Sequence, residues 1–296
     1  MISSILRAAY AKLERHAPDV VSAHLRFFRT HRRFARLAAP RSFSDFVTRR
    51  ALFDRDERFP RLADKIEAKQ VVSRLLGPAW TIPSLFEGER LPDREARQWP
   101  LPYVIKASHG SNMNLFIRNA ADLDWDKIEA IVDGWLATRF SRSLRERLYD
   151  DIRPRLLVEP LIGDPAALPT DIKFFCFAGR WEYAMVQSDR AEALRIAVMD
   201  RDWLMLPLRY SFPQPAQAPK RPETLAALAA AAETLAAPFD FVRMDFYDID
   251  GAPLFGEFTF TPGGGVEIFD PYRFNLEFGS RWRTAARARR KRPTKA

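Results

Sequence analysis

Apolar residues recur at helical spacing through the first fifty positions: Ile5, Ala8, Ala9 and Leu13, then Val20, Val21, Leu25, Phe28, Phe34 and Leu37, set among basic neighbours. The pattern predicts helix. Two placements suit it: a helical cap packed on the rest of the protein, which we prefer, or a membrane-surface helix with Arg26, Arg29, Arg32, Arg33 and Arg36 meeting headgroups. A segment over 42–59 follows, and Pro60 is read as closing it. Asp64 stands where an N-cap belongs, ahead of a helix over 65–76 stopped by Gly77 and Pro78. Beyond a polar stretch at 87–98, Tyr103, Val104 and Ile105 read as a short buried strand. It delivers Lys106 to a loop of small residues at 107–112, and Leu115, Phe116 and Ile117 resume strand character. Trp125, Ile128, Ile131, Val132 and Trp135 share one stripe of a helix expected within 123–140. Strands are expected at 155–160, 171–177 and 181–187, the last two paired across Ala178 and Gly179, and a helix at 224–236.

The strongest alternation lies at 241–247 and 254–260, separated by turn residues, and predicts a β-hairpin. A three-residue loop of Ile249, Asp250 and Gly251 pairs Arg243 with Glu257 and Asp245 with Phe255. Side chains alternate with period two, so Arg243, Asp245, Glu257 and Thr259 share one face. Val242, Met244, Phe246, Phe258 and Phe260 share the other, which reads as core. Two carboxylates with a hydroxyl nearby are hard oxygen donors of the kind magnesium takes while also binding phosphates, and an arginine beside them can grip a phosphoryl group. The plainer reading is a solvated face with a cross-strand Arg–Glu pair. The loop Thr261-Pro262-Gly263-Gly264-Gly265 follows at once, with bare backbone able to approach a ligand. Lys106 beside a Ser/Gly/Asn loop suits nucleotide phosphates held by a cation and backbone N–H groups. His109 in that loop reads as a hydrogen-bonding or surface residue.

The sequence has neither a His-Arg-Asp triplet nor a glycine-rich loop ending in Gly-Lys-Ser/Thr, which argues against protein-kinase and P-loop chemistry. A length of 296 residues exceeds one core and suggests two or more lobes sharing a cleft. Cys176 stands alone in an apolar run and packs as a small hydrophobe, and the four histidines show no zinc spacing. The formal charge of +9 is unevenly placed: residues 1–50 and 281–296 each carry +8, which leaves −7 on 51–280. No nucleic-acid groove is expected on an acidic body. The basic ends suit peripheral contact with anionic lipid or another polyanion. With no apolar span and no signal core, the chain is expected to stay in the cytoplasm, with such contact at the inner membrane surface.

Taken in order, several motifs resemble the ATP-grasp superfamily, and within it the TupA-like ATP-grasp family linked to bacterial capsule and teichuronopeptide synthesis. They are Ala63-Asp64-Lys65, Val104-Ile105-Lys106 with Ser108-His109-Gly110-Ser111, Val158-Glu159-Pro160-Leu161, the run 171–177, Gln187-Ser188-Asp189-Arg190, the run 241–247, and Gly256-Glu257 onward to Gly263. The likeness covers about 42–282. It implies an α+β fold of two lobes gripping ATP: a helical N-terminal segment (1–62), an N-lobe with its lid (63–158), a C-lobe with the metal hairpin (159–280) and a basic tail (281–296). It also implies that Lys65 and Lys106 contact ATP phosphates beneath a lid of Ser108, Gly110 and Ser111. Glu159 and Leu161 belong to the hinge that receives adenine, Asp171 lies beside the nucleotide, and Lys173 is a catalytic residue that assists the phosphates. Arg243 meets the transferred phosphoryl group, and Asp245 and Glu257 hold Mg2+. Many ATP-grasp enzymes place Asn two residues after the metal-binding Glu; Thr259 stands there and offers a weaker hydroxyl ligand. The implied activity is ATP-dependent ligation of a small-molecule or saccharide carboxylate to an amine through an acylphosphate. Phosphorylation of a sugar or lipid hydroxyl is an alternative, as is a non-catalytic nucleotide-binding adaptor.

Overall fold

The computed structural model describes residues 14, 16–138, 140, 145–163, 170–188 and 194–290. The readings that concern Ile5, Ala8, Ala9, Leu13, Asp189, Arg190 and 291–296 lie outside the described residues. The fold is α+β, and no helix among the described residues is long and apolar enough to cross a membrane.

Helix α1 (Asp19–His31) buries Ser22, Ala23, Arg26 and Phe27 and ends where Arg32 turns left-handed (φ 55°). Phe34 and Leu37 therefore lie in a loop, not on the helix the spacing suggested. The loop is drawn away from helical geometry by the Asp45 carboxylate, which accepts from the backbone N–H groups of Arg36, Arg41 and Ser42. Asp45 also completes a capping box with Ser42 that starts α2 (Phe43–Phe53). Pro60 does not close a segment; it sits in the first turn of α3 (Arg58–Ala63), where a missing N–H forfeits no helical bond. Asp64 caps α4 (Lys65–Leu76) by accepting from the N–H groups of Ile66 and Glu67, and Gly77 (φ 98°) ends it.

Two antiparallel sheets follow. The smaller takes β1 (Phe86–Gly88), β2 (Tyr103–Ala107), β3 (Asn114–Ile117) and β4 (Leu156–Pro160) in the order β1-β4-β2-β3. It is covered by α5 (Trp125–Leu136), whose Ile128 and Val132 meet Tyr103, Ile105, Ile117, Leu156 and Val158. The larger takes β5 (Asp171–Phe177), β6 (Arg180–Ser188), β7 (Arg195–Met199), β9 (Phe241–Ile249) and β10 (Ala252–Thr259) in the order β10-β9-β5-β6-β7. A two-stranded ribbon pairs β8 (Arg209–Tyr210) with β11 (Phe269–Asp270).

Each face of the larger sheet has its own core. Ile172, Phe174, Cys176, Val242, Met244 and Phe246 meet α6 (Leu225–Ala236) together with Phe59, Ala68 and Val72 of α3 and α4. On the opposite face Phe175, Phe177 and Phe241 meet Phe43 of α2 and the helix α7 (Arg273–Arg290). Phe274, Phe278, Trp282 and Ala285 of α7 are buried at helical spacing. Residues 281–290, expected as a basic tail, thus continue a packed helix whose apolar stripe is diluted by arginines. Phe278 stacks on Tyr183 at 3.9 Å and Trp282 on Phe241 at 4.2 Å. Toward its other end this second face changes from aromatic to charged.

Candidate active site

That change follows from the period-two alternation of β5 and β9. Phe175 and Phe241 are succeeded on the same face by Lys173 and Asp171 on β5 and by Arg243 and Asp245 on β9, with Phe175 paired to Arg243 and Lys173 to Asp245. The β9–β10 hairpin corrects the predicted register. Its loop holds two residues, Asp250 (φ 51°) and Gly251 (φ 81°), with Ile249 paired to Ala252, as a turn with two left-handed residues requires. A shift of one residue would send Glu257 to the core face. A bulge at Gly256 absorbs the difference. Phe246 pairs with Phe255, Asp245 with Glu257 and Arg243 with Thr259, in place of the expected Arg243–Glu257 and Asp245–Phe255 pairs. Gly256 passes so close to β9 that a Cβ there would stand 3.0 Å from the Asp245 carbonyl oxygen.

The resulting cluster is tightly bonded. Arg243 grips Asp245 through Nε and a terminal nitrogen, both at 2.7 Å. Lys173 Nζ lies 2.6 Å from Asp245 and 2.5 Å from Asp171. Burial alone would raise the Asp245 pKa, but Arg243 and Lys173 outweigh it and hold the carboxylate below its ordinary range. Burial likewise opposes the charge of Lys173, and Asp245 with Asp171 overcomes it, leaving the ammonium above its usual value. Glu257 is held more loosely: Thr259 donates to it at 3.3 Å and Arg243 stands 3.6 Å away. Thr259 in turn accepts from Arg243 at 3.0 Å, so its hydroxyl links the guanidinium to Glu257.

Helix α4 supplies the facing set. Ala68 and Val72 enter the core of the larger sheet, while Lys65 and Lys69, also four apart, look toward the smaller one. Asp64 fixes their position, accepting from Ser108 Oγ at 3.1 Å and from Arg155 at 3.1 Å besides capping the helix. Ser108 is fully buried. Its side chain is thus a strut between β2 and α4, and the lid reading is left to the loop beyond it. Gly110 packs against Phe140 and Met113 with no space for a Cβ, and Ser111 is exposed. His109 is buried, not at the surface, and bonds the Trp135 carbonyl oxygen.

Glu159 on β4 bridges Lys69 and Lys106, each at 2.6 Å. Burial pushes its pKa up, but the two ammonium groups win and keep it ionised below the usual range. Its carboxylate is therefore the centre of a Lys–Glu–Lys triad. The N–H of Leu161 is committed to the Pro102 carbonyl oxygen at 3.0 Å. Lys65 differs from the other cations: among the described residues its Nζ donates to the Gly110 carbonyl oxygen and forms no ion pair. Burial depresses its pKa, aided by Lys106 and opposed first by Glu257. Those influences come from both sheets, so Lys65 sits where they face each other.

Sequence reasoning missed two members of this region. Lys69 had a signal, since it lies one helical turn from Lys65. Glu146 had none. It is buried, accepts a hydrogen bond from Thr261 Oγ1, and has its pKa pushed up to about 7 by burial, with Glu257 adding to the rise and Thr261, Arg26 and Arg243 opposing it. Thr261 begins the loop whose Gly263 and Gly264 adopt left-handed φ of 54° and 56°.

The fold and site define a class before they define a family: two facing antiparallel sheets, bridged by a helix, with ammonium groups on one side and a guanidinium–carboxylate cluster on the other. A family model described as TupA-like ATPgrasp matches residues 46–283, and the protein belongs to that family. No curated protein matches the sequence. Among solved structures, D-alanine–D-alanine ligase from Bacillus anthracis is similar with a TM-score of 0.49 at 14% identity, covering 78% of this chain and 69% of that one. The D-alanine–D-alanine ligase from Helicobacter pylori gives 0.41 at 14% identity over 74% of this chain and 60% of that one. The ATP-grasp ligase PsnB, complexed with minimal precursor, Mg and ADP, gives 0.39 at 16% identity over 69% and 52%.

Proposed function

We propose that the protein is a cytoplasmic ATP- and magnesium-dependent ligase that joins a carboxylate to an amine during synthesis of cell-envelope polysaccharide. The observation that carries this reading is Lys65, a recessed cation with no ion-pair partner among the described residues, poised between Lys106 and the Arg243–Asp245–Glu257 cluster. A half-buried cation left in this state calls for an anion. Family membership supports ATP as that anion and ligation as the outcome.

The side chains fit both groups. Lys65 and Lys106 would hold phosphate oxygens from the side of the smaller sheet, with Lys69 keeping Glu159 in place behind them. Asp245 and Glu257 sit directly opposite on adjacent strands and would hold magnesium, which takes one or two carboxylates together with phosphate oxygens and water. Among the described residues there is no group of three His, Cys, Asp or Glu able to hold a metal, so phosphate oxygens are needed to complete the shell. ATP, when bound, supplies the phosphoryl group that activates a carboxylate for attack by an amine. Arg243 would neutralise charge on the transferred group, Lys173 with Asp171 would fix Asp245, and Thr259 would orient Glu257. The hinge around Glu159 and Leu161 would border the base, and Gly110 and Ser111 the phosphates.

The test is turnover with ATP, magnesium and a panel of saccharide acids and amino acids. ADP and phosphate released only when both a carboxylate and an amine are present is the expected result. A stable phosphorylated sugar or lipid would instead mark a kinase, and ATP bound without turnover would mark an adaptor.

A further inference from the structure

Among the described residues, basic segments from both ends of the sequence meet in the fold, at Arg41 and Arg283. Helix α7 crosses the chain at residues 41–43 so closely that a Cβ on Gly279 would stand 2.3 Å from the Arg41 carbonyl oxygen and 2.6 Å from the Ser42 carbonyl carbon. One turn further, Arg283 donates to that same Arg41 oxygen at 3.2 Å. At this crossing the α1–α2 loop curls around Asp45, whose buried carboxylate is matched by the Arg33 guanidinium at 2.8 Å and so adds little negative potential outside.

The curl leaves a hollow of about 590 Å³ lined by His24, residues 35–39 and Arg41. Arg36 and Arg41 are exposed, and neither guanidinium meets a carboxylate among the described residues. His24 Nδ1 is buried and lacks a hydrogen-bond partner among the described residues. At the rim, Phe34 is 61% exposed and meets His24 edge-on at 5.7 Å and Phe28 at 5.2 Å. Phe28 and Val21 are also exposed, and Val21, His24 and Phe28 lie on one face of α1.

Open cations beside exposed aromatics are what an anionic bilayer surface rewards: guanidinium groups bond headgroup phosphates while phenyl rings enter the acyl boundary. We propose that this corner docks the protein on an anionic phospholipid surface, with a lipid phosphate seated among Arg36, Arg41 and His24 and with Phe28 and Phe34 inserted beside it. A single-stranded nucleic acid would stack its bases on such rings, but an extended polyanion would also run over a body that carries −7 on 51–280, which favours the compact headgroup phosphate. The site is remote in sequence from the ATP-binding residues and does not depend on how that site acts.

Co-sedimentation of the full chain with phosphatidylcholine vesicles, with and without phosphatidylserine, tests this. Binding is expected only with phosphatidylserine. Replacing both Arg36 and Arg41 by Ala is expected to weaken it roughly thirtyfold, at about fivefold for each cation near an anionic surface. These replacements keep the backbone N–H groups that Asp45 accepts, so the loop stays folded. Phe34→Ser is also expected to weaken vesicle binding while leaving ATP affinity unchanged. Wild-type binding by the arginine double variant would overturn the site. So would vesicle binding that is indifferent to Phe34→Ser, or single-stranded RNA binding the wild type more tightly than phosphatidylserine vesicles do.

Discussion

Side-chain chemistry sets what the cleft can do, and three residues show how. Lys69 stands behind Glu159 and keeps it from capturing Lys106 alone. Lys69→Met is expected to let Glu159 pair fully with Lys106, lowering ATP affinity by about tenfold in calorimetry, and also to cost some stability, since buried Glu159 loses one of its two cations. Glu146 offers a pH signature. Its folded pKa of about 7 lies above the ordinary 4.5, so the folded state binds the extra proton. The associated stability is complete below about 4.5 and is lost as pH rises to about 7. Glu146→Gln is expected to flatten the urea stability profile across that window; an unchanged slope would mean that Glu146 titrates normally. Arg243 and Asp245 were legible because strand alternation assigns their face; Glu257 keeps that face only because the bulge at Gly256 compensates the shorter loop, and Lys173 came with the family resemblance. Glu146 was not, because its environment is made by Arg26, Thr261 and the hairpin, each about a hundred residues or more away.

Elements place those side chains, and here the sequence is legible in pattern more than in register. The helix over 65–76, its Asp64 cap and the paired strands at 171–177 and 180–188 follow from periodicity and capping. The hairpin loop did not, because Ile249-Asp250-Gly251 is compatible with two-residue and three-residue turns, and the bulge at Gly256 compensates one choice against the other. Gly256→Val is expected to force β10 away from the Asp245 carbonyl, costing about 1–3 kcal/mol. The sharper expectation is lost magnesium dependence of ATP binding, since Glu257 would no longer face Asp245. Helix α7 was masked for another reason: Arg281, Arg283, Arg287 and Arg289 interrupt the apolar stripe of Phe274, Phe278, Trp282 and Ala285, so its second half reads as a basic run. Trp282→Ala removes a ring that stacks on Phe241 and also donates to Asp240 at 3.0 Å. A loss of about 3–5 kcal/mol in denaturant unfolding is expected.

At the scale of the whole molecule, the N-terminal helices are built into the site's support. His31 bonds the Gly265 carbonyl oxygen, and α2 packs on both that glycine loop and α7. Arg36 and Arg41 of the basic N-terminal region are exposed at one corner, remote in sequence from the cleft proposed to bind ATP. In the proposed reaction Asp245 and Glu257 hold magnesium for ATP. Glu257 is the better probe, because its bonds to Thr259 and Arg243 are weak and its side chain is 37% exposed, whereas Asp245 anchors two buried cations. The decisive measurement is ATP affinity with and without magnesium for the wild type and for Glu257→Gln, alongside their unfolding curves. The account predicts that magnesium tightens ATP binding to the wild type and that the variant, folded as well as the wild type, loses about tenfold or more of that affinity. Equal magnesium-dependent affinity in the two proteins would contradict it.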